Sequence, residues 1–340
     1  MEKSRNLKYY DELDDEGKFE ITGVAPKKYN KPKSIKPAAA LQQFVTTQDD
    51  SLKGFRFSYK AARFEESWLL ESLGYLYEQR WITDVLRKIK AGKEASVYLC
   101  RAGEQIGQQL VAAKVYRPRM LRNLRNDSAY REGRVELDEE GHEIVDSHSL
   151  HAVFARSNYG EQVRHQSWIA YEYTALKALF SAGVDVPRPY EMANNAILMD
   201  YVGDETRAAP ALNEVSIDHA EAARLFDTLR EDLDRMLSTG RIHGDLSAYN
   251  ILYWDGRLTL IDFPQVVSPE SNRNAYSLFS RDIRRICEYF SRQGLALDPA
   301  LLSRELWTAH GFRIRAEIHP RLLDGEDARD RSLWNDNNPK

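Results

Sequence analysis

The sequence predicts an α+β fold, and three stretches carry that prediction. Ile251-Leu252-Tyr253-Trp254 and Arg257-Leu258-Thr259-Leu260-Ile261 are apolar-rich runs on either side of Asp255-Gly256, the pattern of a β-hairpin closed by a two-residue turn. Val111-Ala112-Ala113-Lys114-Val115-Tyr116 reads as a buried strand with one lysine in it. From about Val163 to Phe180, Trp168, Ala175, Leu176 and Leu179 recur at helical spacing.

In chain order, residues 1–60 mix charge, glycine and proline around Pro26-Lys27-Lys28-Tyr29-Asn30-Lys31-Pro32-Lys33 and read as a flexible N-terminal arm. Residues 61–80 hold Phe64, Trp68, Leu69, Leu73, Leu76 and Tyr77 at helical spacing, a helix expected to pack on the strand-rich region after it. Residues 81–201 carry most of the strand patterns, interrupted by an insertion of about 117–164 with little apolar periodicity. In that insertion Val135 and Leu137, then Ile144 and Val145, flank Glu140-Gly141 as a small hairpin would. Residues 202–315 are mainly helical, opening near Ile217 with a helix through Ala220, Leu229, Leu233, Met236 and Leu237; residues 316–340 read as a loosely held tail.

Lys plus Arg number 48 against 52 for Asp plus Glu, so the chain as a whole is not a polycation. Basic charge is local, in Arg117, Arg119, Arg122, Arg125 and Arg131. No run approaches the roughly 20 apolar residues of a membrane span, and the N-terminus has no signal-peptide core. Two cysteines, Cys100 and Cys287, stand in apolar settings, which fits reduced thiols and a cytoplasmic protein.

The chemistry starts at His243-Gly244-Asp245-Leu246-Ser247-Ala248-Tyr249-Asn250. With Asp255 and Gly256 as the turn, Trp254 pairs with Arg257, Asn250 faces Ile261, and Asp262 is the next residue along. Two oxygen donors thus emerge at one end of a hairpin, beside the loop that carries Asp245. Mg²⁺ takes one or two side-chain oxygens plus phosphate, so Asn250 and Asp262 suit the metal of Mg-ATP, with Mn²⁺ as an alternative ion. Asp245 can orient an attacking hydroxyl and accept its proton. The plainer reading is a hairpin with polar caps. Upstream, a lysine buried in a strand needs a carboxylate to stay charged, and Glu172 lies on the apolar stripe of the 163–180 helix. A Lys114–Glu172 ion pair is the consequence, with the lysine reaching the phosphates. Ahead of it, Ala91-Gly92-Lys93-Glu94-Ala95-Ser96-Val97 reads as a strand, a tight turn and a strand lying over the phosphates, although one glycine makes a weak phosphate loop. His142, His148, His151 and His165 lack ligand spacing. His243 reads as a buried residue bonding the loop backbone.

Gly92-Lys93-Glu94-Ala95-x-Val97-Tyr98, Lys114-Val115-Tyr116, His243-Gly244-Asp245-Leu246-Ser247-x-x-Asn250 and Ile261-Asp262-Phe263-Pro264-Gln265, in that order, resemble the RIO kinases, atypical serine/threonine protein kinases. The resemblance runs from about Ile82 to Phe290. It implies a two-lobed protein-kinase-like fold, with a small β-rich N-lobe (81–201) and a helical C-lobe (202–315). It also implies Mg-ATP, serine autophosphorylation and, in many members, maturation of the small ribosomal subunit, so that a pre-ribosomal particle or rRNA becomes a partner. Position by position it gives Lys114 on the phosphates with Glu172 as its partner, Asp245 as catalytic base, and Asn250 and Asp262 as metal ligands. Asp262 would also accept the phosphoryl group in passing, making the protein partly an ATPase switch. Ser96, at the loop tip, would touch phosphate, and Met199-Asp200-Tyr201-Val202, after the strand Ala196-Ile197-Leu198, would be the hinge that reads adenine. The Gly-Lys-Glu-Ala loop and Asp-Leu-Ser resemble the first RIO branch. Ile-Asp-Phe-Pro-Gln also occurs in the second, but the first eighty residues lack a clear winged-helix pattern. The autophosphorylated serine would lie in the insertion, where Ser128, Ser147, Ser149 and Ser157 stand unranked.

After Asp262 no Ala-Pro-Glu follows, and Arg281-Asp282-Ile283-x-x-Ile286-Cys287-x-Tyr289-Phe290 already reads as the next packed helix. The C-lobe is therefore expected to be reduced, without activation loop or peptide-binding helices. Two other classes share parts of these motifs: a small-molecule phosphotransferase of the aminoglycoside or choline kinase type, and a non-catalytic nucleotide-binding scaffold. The Gly-Lys-Glu-Ala loop and Pro264-Gln265 weigh against the first, the full set of catalytic side chains against the second.

Overall fold

Strand register decides which side chains share a face, and here it sorts the N-lobe into two opposite surfaces. The structure, a computed structural model, describes residues 55–92, 94–117, 136–138, 141–145 and 158–314. Five strands form one antiparallel sheet in the order β1-β2-β3-β5-β4: β1 Ile82–Ala91, β2 Ala95–Ala102, β3 Leu110–Tyr116, β4 Pro189–Ala193 and β5 Ala196–Asp200. Val97 faces Lys114, which faces Ile197; Leu99 faces Ala112, which faces Met199. Directly paired residues point to the same side and neighbours alternate. Val97, Leu99, Ala112, Lys114, Ile197 and Met199 therefore line one face, and Tyr98, Cys100, Val111, Ala113, Val115, Ala196 and Leu198 the other.

The second face is covered by helix α1, Arg63–Glu78, whose Leu69, Leu73 and Leu76 are fully buried against it. Glu65 in its first turn accepts from Tyr98 Oη at 2.6 Å and pairs with Lys88. Residues 55–60, assigned to the N-terminal arm from sequence, belong to this layer instead. Phe55 is buried and stacks on Tyr77, Tyr59 N–H donates to Val85 O, and the Ser58 hydroxyl donates to Asp84. An aromatic at every second or fourth position there buries too much apolar surface to leave in water.

The first face looks toward helix α2, Asn158–Ser181, longer at both ends than its apolar stripe. Tyr116, Ile169 and Ile197 pack together there, with Trp168 edge-on to Tyr116. In the middle of the insertion, residues 136–138 and 141–145 are described, and they pair as two arms of a small hairpin would, with Leu137 bridged to Glu143 and Ile144 N–H donating to Glu136 O. It lies on α2, where Leu137 N–H donates to the buried Ser167 hydroxyl at 2.8 Å. Val135 and the four serines fall outside the described residues.

The C-lobe is built on α3, His219–Ser238, α4, Ala275–Arg292, and α5, Pro299–Ala309. Asp218 caps α3 by accepting from Glu221 N–H, and Asp298 caps α5 ahead of a proline in its first turn. Their apolar faces bury Leu229, Leu233, Met236, Ile283, Ile286, Phe290 and Trp307 in one core. Strands β6, Ile251–Trp254, and β7, Arg257–Leu260, form a two-stranded hairpin against it. Trp254 pairs with Arg257 and Ile251 with Leu260, the register expected from sequence. Asp255 and Gly256 both have positive φ, as a type I′ turn requires. Between Asp262 and α4 there is neither helix nor strand, so the reduced C-lobe is observed.

Candidate active site

Lys114 sits at the middle of β3, on the sheet face that looks toward α2, and is 8 % exposed. Its Nζ donates to Glu172 Oε1 at 2.5 Å and to Asp262 Oδ1 at 2.7 Å. Glu172, on the inward stripe of α2, accepts from the Tyr116 hydroxyl through its other oxygen, Oε2, at 2.7 Å. One ammonium thus holds two carboxylates, and one of those carboxylates is held at both ends. Burial alone would lower the Lys114 pKa, but Asp262 and then Glu172 outweigh it and hold the ammonium well above its ordinary range. Burial likewise works to raise Asp262, and Lys114 overcomes it, keeping the carboxyl below the usual range. Nearly half of the Asp262 side chain, 48 %, still faces open cleft.

The backbone brings Asp262 there. Ile261 N–H donates to Asn250 O, so the hairpin ends with Asn250 and Ile261 side by side, and Asp262 comes next with φ 72°. That left-handed conformation is tolerable for Asp and strained for most residues. It turns the carboxylate toward Lys114.

The loop before the hairpin is fixed from several directions. His243, buried, shares a hydrogen bond with Ile261 O at 3.1 Å through Nε2, and its Nδ1 accepts Asp245 N–H. This is the backbone-bonding role expected of it, and burial keeps the ring's pKa low. Gly244 has φ 80°, and a Cβ there would lie 2.3 Å from Gln265 O, so only glycine fits. Asp245 O accepts Asn250 Nδ2 at 2.9 Å. With its nitrogen so engaged, Asn250 has its side-chain oxygen left to offer a cation. Asn250 and Asp262 form a hard, all-oxygen donor pair, the kind that suits Mg²⁺ completed by phosphate oxygens.

Two arginines of α4, one turn apart, complete the loop. Arg281 donates to Gly244 O, and Arg285 Nη1 donates to Asp245 Oδ1 at 2.7 Å. Sequence reasoning did not find either; Arg285 and Asp245 stand 40 positions apart with no periodic signal between them. It also missed the Tyr116–Glu172 bond, although Tyr116 is two residues from Lys114 in a strand and so shares its face.

The remaining expected residues divide. Ala91 ends β1, and Gly92 N–H donates to Ala95 O, closing the turn through Glu94, whose carbonyl accepts Arg117 N–H. Lys93 lies outside the described residues. Ala95 and Val97 share the Lys114 face, but Ser96 does not. Far from being a loop tip, Ser96 is the second residue of β2, paired with Ala91 and Val115 and buried on the α1 side. The strands zip up further than the loop reading allowed, and alternation turns its hydroxyl away from the cleft. At the hinge, β5 runs two residues past Leu198, so Met199 and Asp200 are strand residues. Met199 faces the cleft. The Asp200 side chain points the other way, accepting from Tyr190 Oη and Gln108. Tyr201 Oη bonds Arg87 and Asp204 O, and Val202 O accepts Ala209 N–H.

Against known families, the RIO domain matches residues 97–301, more than half of the chain. The chain belongs to the RIO family. Its similar relatives include the RIO-type serine/threonine-protein kinase Rio1 of Haloferax volcanii, 32 % identical over 210 residues. That match covers 62 % of this chain and 64 % of the relative. Serine/threonine-protein kinase RIO1 of Chaetomium thermophilum is 32 % identical over 225 residues, covering 63 % of this chain and 40 % of that protein. The chain thus spans less than two thirds of the length of these two relatives. Among solved structures, the Rio2 kinase–ADP/Mg²⁺–phosphoaspartate complex from Chaetomium thermophilum superposes with a TM-score of 0.50 at 20 % identity, covering 81 % of this chain and 77 % of that one. The fold is accordingly that of a RIO kinase, two-lobed and kinase-like.

Proposed function

We infer that this RIO protein is an atypical serine/threonine protein kinase and ATPase that uses Mg-ATP. The observation that carries this reading is the double grip of Lys114 on Glu172 and Asp262, next to Asp245 and Asn250 on one rigid loop. Lys114 binds the ATP phosphates, Glu172 and Tyr116 hold it in position, and Asn250 and Asp262 hold Mg²⁺, or Mn²⁺ in its place. The metal supplies charge neutralisation on the phosphate oxygens. The loop Ala91–Val97 covers the phosphates; since the Gly92 N–H is taken by Ala95 O, the donors come from its other residues. Adenine lies against Met199 and meets the backbone of Asp200–Val202. The Val202 carbonyl is occupied by Ala209, so this residue contributes its N–H.

In the transfer, an acceptor hydroxyl oxygen bonds to the terminal phosphorus while the bridging P–O bond breaks. The hydroxyl proton passes to Asp245, and ADP leaves. Such a transfer asks the protein chiefly for positioning and electrostatics, which a loop pinned by His243, Gly244 and Asn250 supplies. When the open oxygen of Asp262 is the acceptor instead, an acyl phosphate forms and water then releases phosphate. The phosphoaspartate in the Chaetomium Rio2 complex supports that second route. The relatives' names support Ser/Thr specificity, with autophosphorylation of an insertion serine. Maturation of the small ribosomal subunit, with a pre-ribosomal particle or rRNA as partner, and a cytoplasmic location complete the proposal. Free, buried Cys100 and Cys287 and the lack of any membrane-spanning helix among the described residues agree with that location.

The test is incubation of the full chain with Mg²⁺ and γ-labelled ATP, scoring acid-stable label and free phosphate separately. Wild type should give one or both, and Asp245→Asn and Asp262→Ala should lose at least 100-fold in turnover. Wild-type protein that turns over no ATP would sink the reading.

A further inference from the structure

We propose that Arg285 is a positioning residue for phosphoryl transfer, holding the Asp245 carboxylate in the orientation that receives the acceptor proton. The inference rests on the kinase and ATPase reading above and deepens it. Asp245, like Asp262, is a half-open acid of the site. Its backbone is held on both sides, by His243 and by Asn250, yet its side chain is 42 % exposed. A carboxylate that open to water would rotate among several conformers. One contact selects among them, the 2.7 Å bond from Arg285 Nη1 to Oδ1. Charge-assisted bonds of this length are about twice as strong as neutral ones, and the guanidinium holds its donors in a fixed plane.

The anchor itself is rigid. Arg285 rises from α4, whose Ile283, Ile286 and Cys287 are buried in the C-lobe core, and Arg281, one turn earlier on the same helix, holds Gly244 O. Two successive residues of the catalytic loop are thus gripped by one helix edge. With Oδ1 occupied, Oδ2 is the oxygen left for the incoming hydroxyl. Arg285 is itself 39 % exposed. Its contact is with Asp245, and its influence runs through that carboxylate.

The experiment compares wild type with Arg285→Met, Arg285→Lys and Arg284→Ala, measuring ATP turnover, KM for ATP and thermal unfolding on the full chain. Arg284, a neighbour on α4 with a more exposed side chain and a long 3.9 Å pair to Glu288, controls for damage to the helix. Expected are a kcat lowered roughly 10- to 100-fold in Arg285→Met, an unchanged KM for ATP, partial rescue in Arg285→Lys, and wild-type turnover in Arg284→Ala. An unchanged or raised kcat in Arg285→Met overturns the proposal, the rise revealing Arg285 as a brake on Asp245. A loss of kcat matched by a higher KM and lower melting temperature, with no rescue by lysine, overturns it in favour of a structural role. An inactive wild type would be the failure of the kinase reading itself.

Discussion

At the scale of residues, the site is a set of polar groups that cannot be left unpaired. A lysine in a buried strand and a glutamate on a helix's apolar stripe each need a partner, and that need made the Lys114–Glu172 pair readable before any geometry. The same need extends to Tyr116, whose hydroxyl shares the face of Lys114 and caps the other oxygen of Glu172. Tyr116→Phe should therefore cost about 1–2 kcal/mol of stability and raise the KM for ATP a few-fold, as chemical denaturation and steady-state kinetics would record. A variant as stable and as active as wild type would mean that Lys114 alone fixes Glu172. Arg285 was not legible. Surface arginines are common, and only the packing of α4 against the loop turns this one toward Asp245.

At the scale of elements, register was the readable quantity wherever a turn set it. Asp255-Gly256 permits one two-residue loop, and from it came every pairing of β6 and β7 and the placement of Asn250 beside Ile261. Where no such turn existed the reading slipped. The expected tight turn at Gly92 is there, but β1 and β2 pair as far as Ala91 and Ser96, and alternation carries Ser96 to the sheet face opposite Lys114. Helix α4 holds a further test. Asp282 is buried at its centre with neither carboxyl oxygen in a well-formed hydrogen bond, and Arg281 lies 3.6 Å away. Burial pushes Asp282 up to about 7, with Arg281 pulling back. A carboxyl raised in this way binds its proton more tightly folded than unfolded. Its contribution to stability is greatest below the unfolded pKa of about 3.9 and is lost as pH rises through about 7. Between pH 5 and 8 the wild type should lose roughly 2–4 kcal/mol relative to Asp282→Asn, read from urea unfolding at each pH. Parallel pH profiles for the two proteins would show that Asp282 stays charged.

At the scale of the whole molecule, the groups proposed to meet Mg-ATP come from both lobes: Lys114 and Glu172 from the small one, Asp245, Asn250 and Asp262 from the large. Saturating nucleotide should therefore stabilise the native protein as a unit. At 100 times its dissociation constant the gain is about 2.7 kcal/mol, a rise of roughly 5 °C or more in melting temperature. The shift should shrink when the metal is chelated, and a nucleotide-independent melting curve would contradict the assignment of the cleft.

The two-faced sheet carries a consequence for how this chain can change over evolutionary time. In β3 every other residue belongs to the packing under α1 and every other one to the cleft, and Lys114 is locked between Val97 and Ile197. A single inserted or deleted residue anywhere from Leu110 to Lys114 would swap the two sets, sending the lysine into the hydrophobic layer and an alanine or valine into the site. Length variation should therefore be tolerated in the connections on either side of this strand and purged within it. Frameshifted repair, tandem duplication of a codon or slippage in β3 would inactivate the protein even where each resulting side chain was individually acceptable.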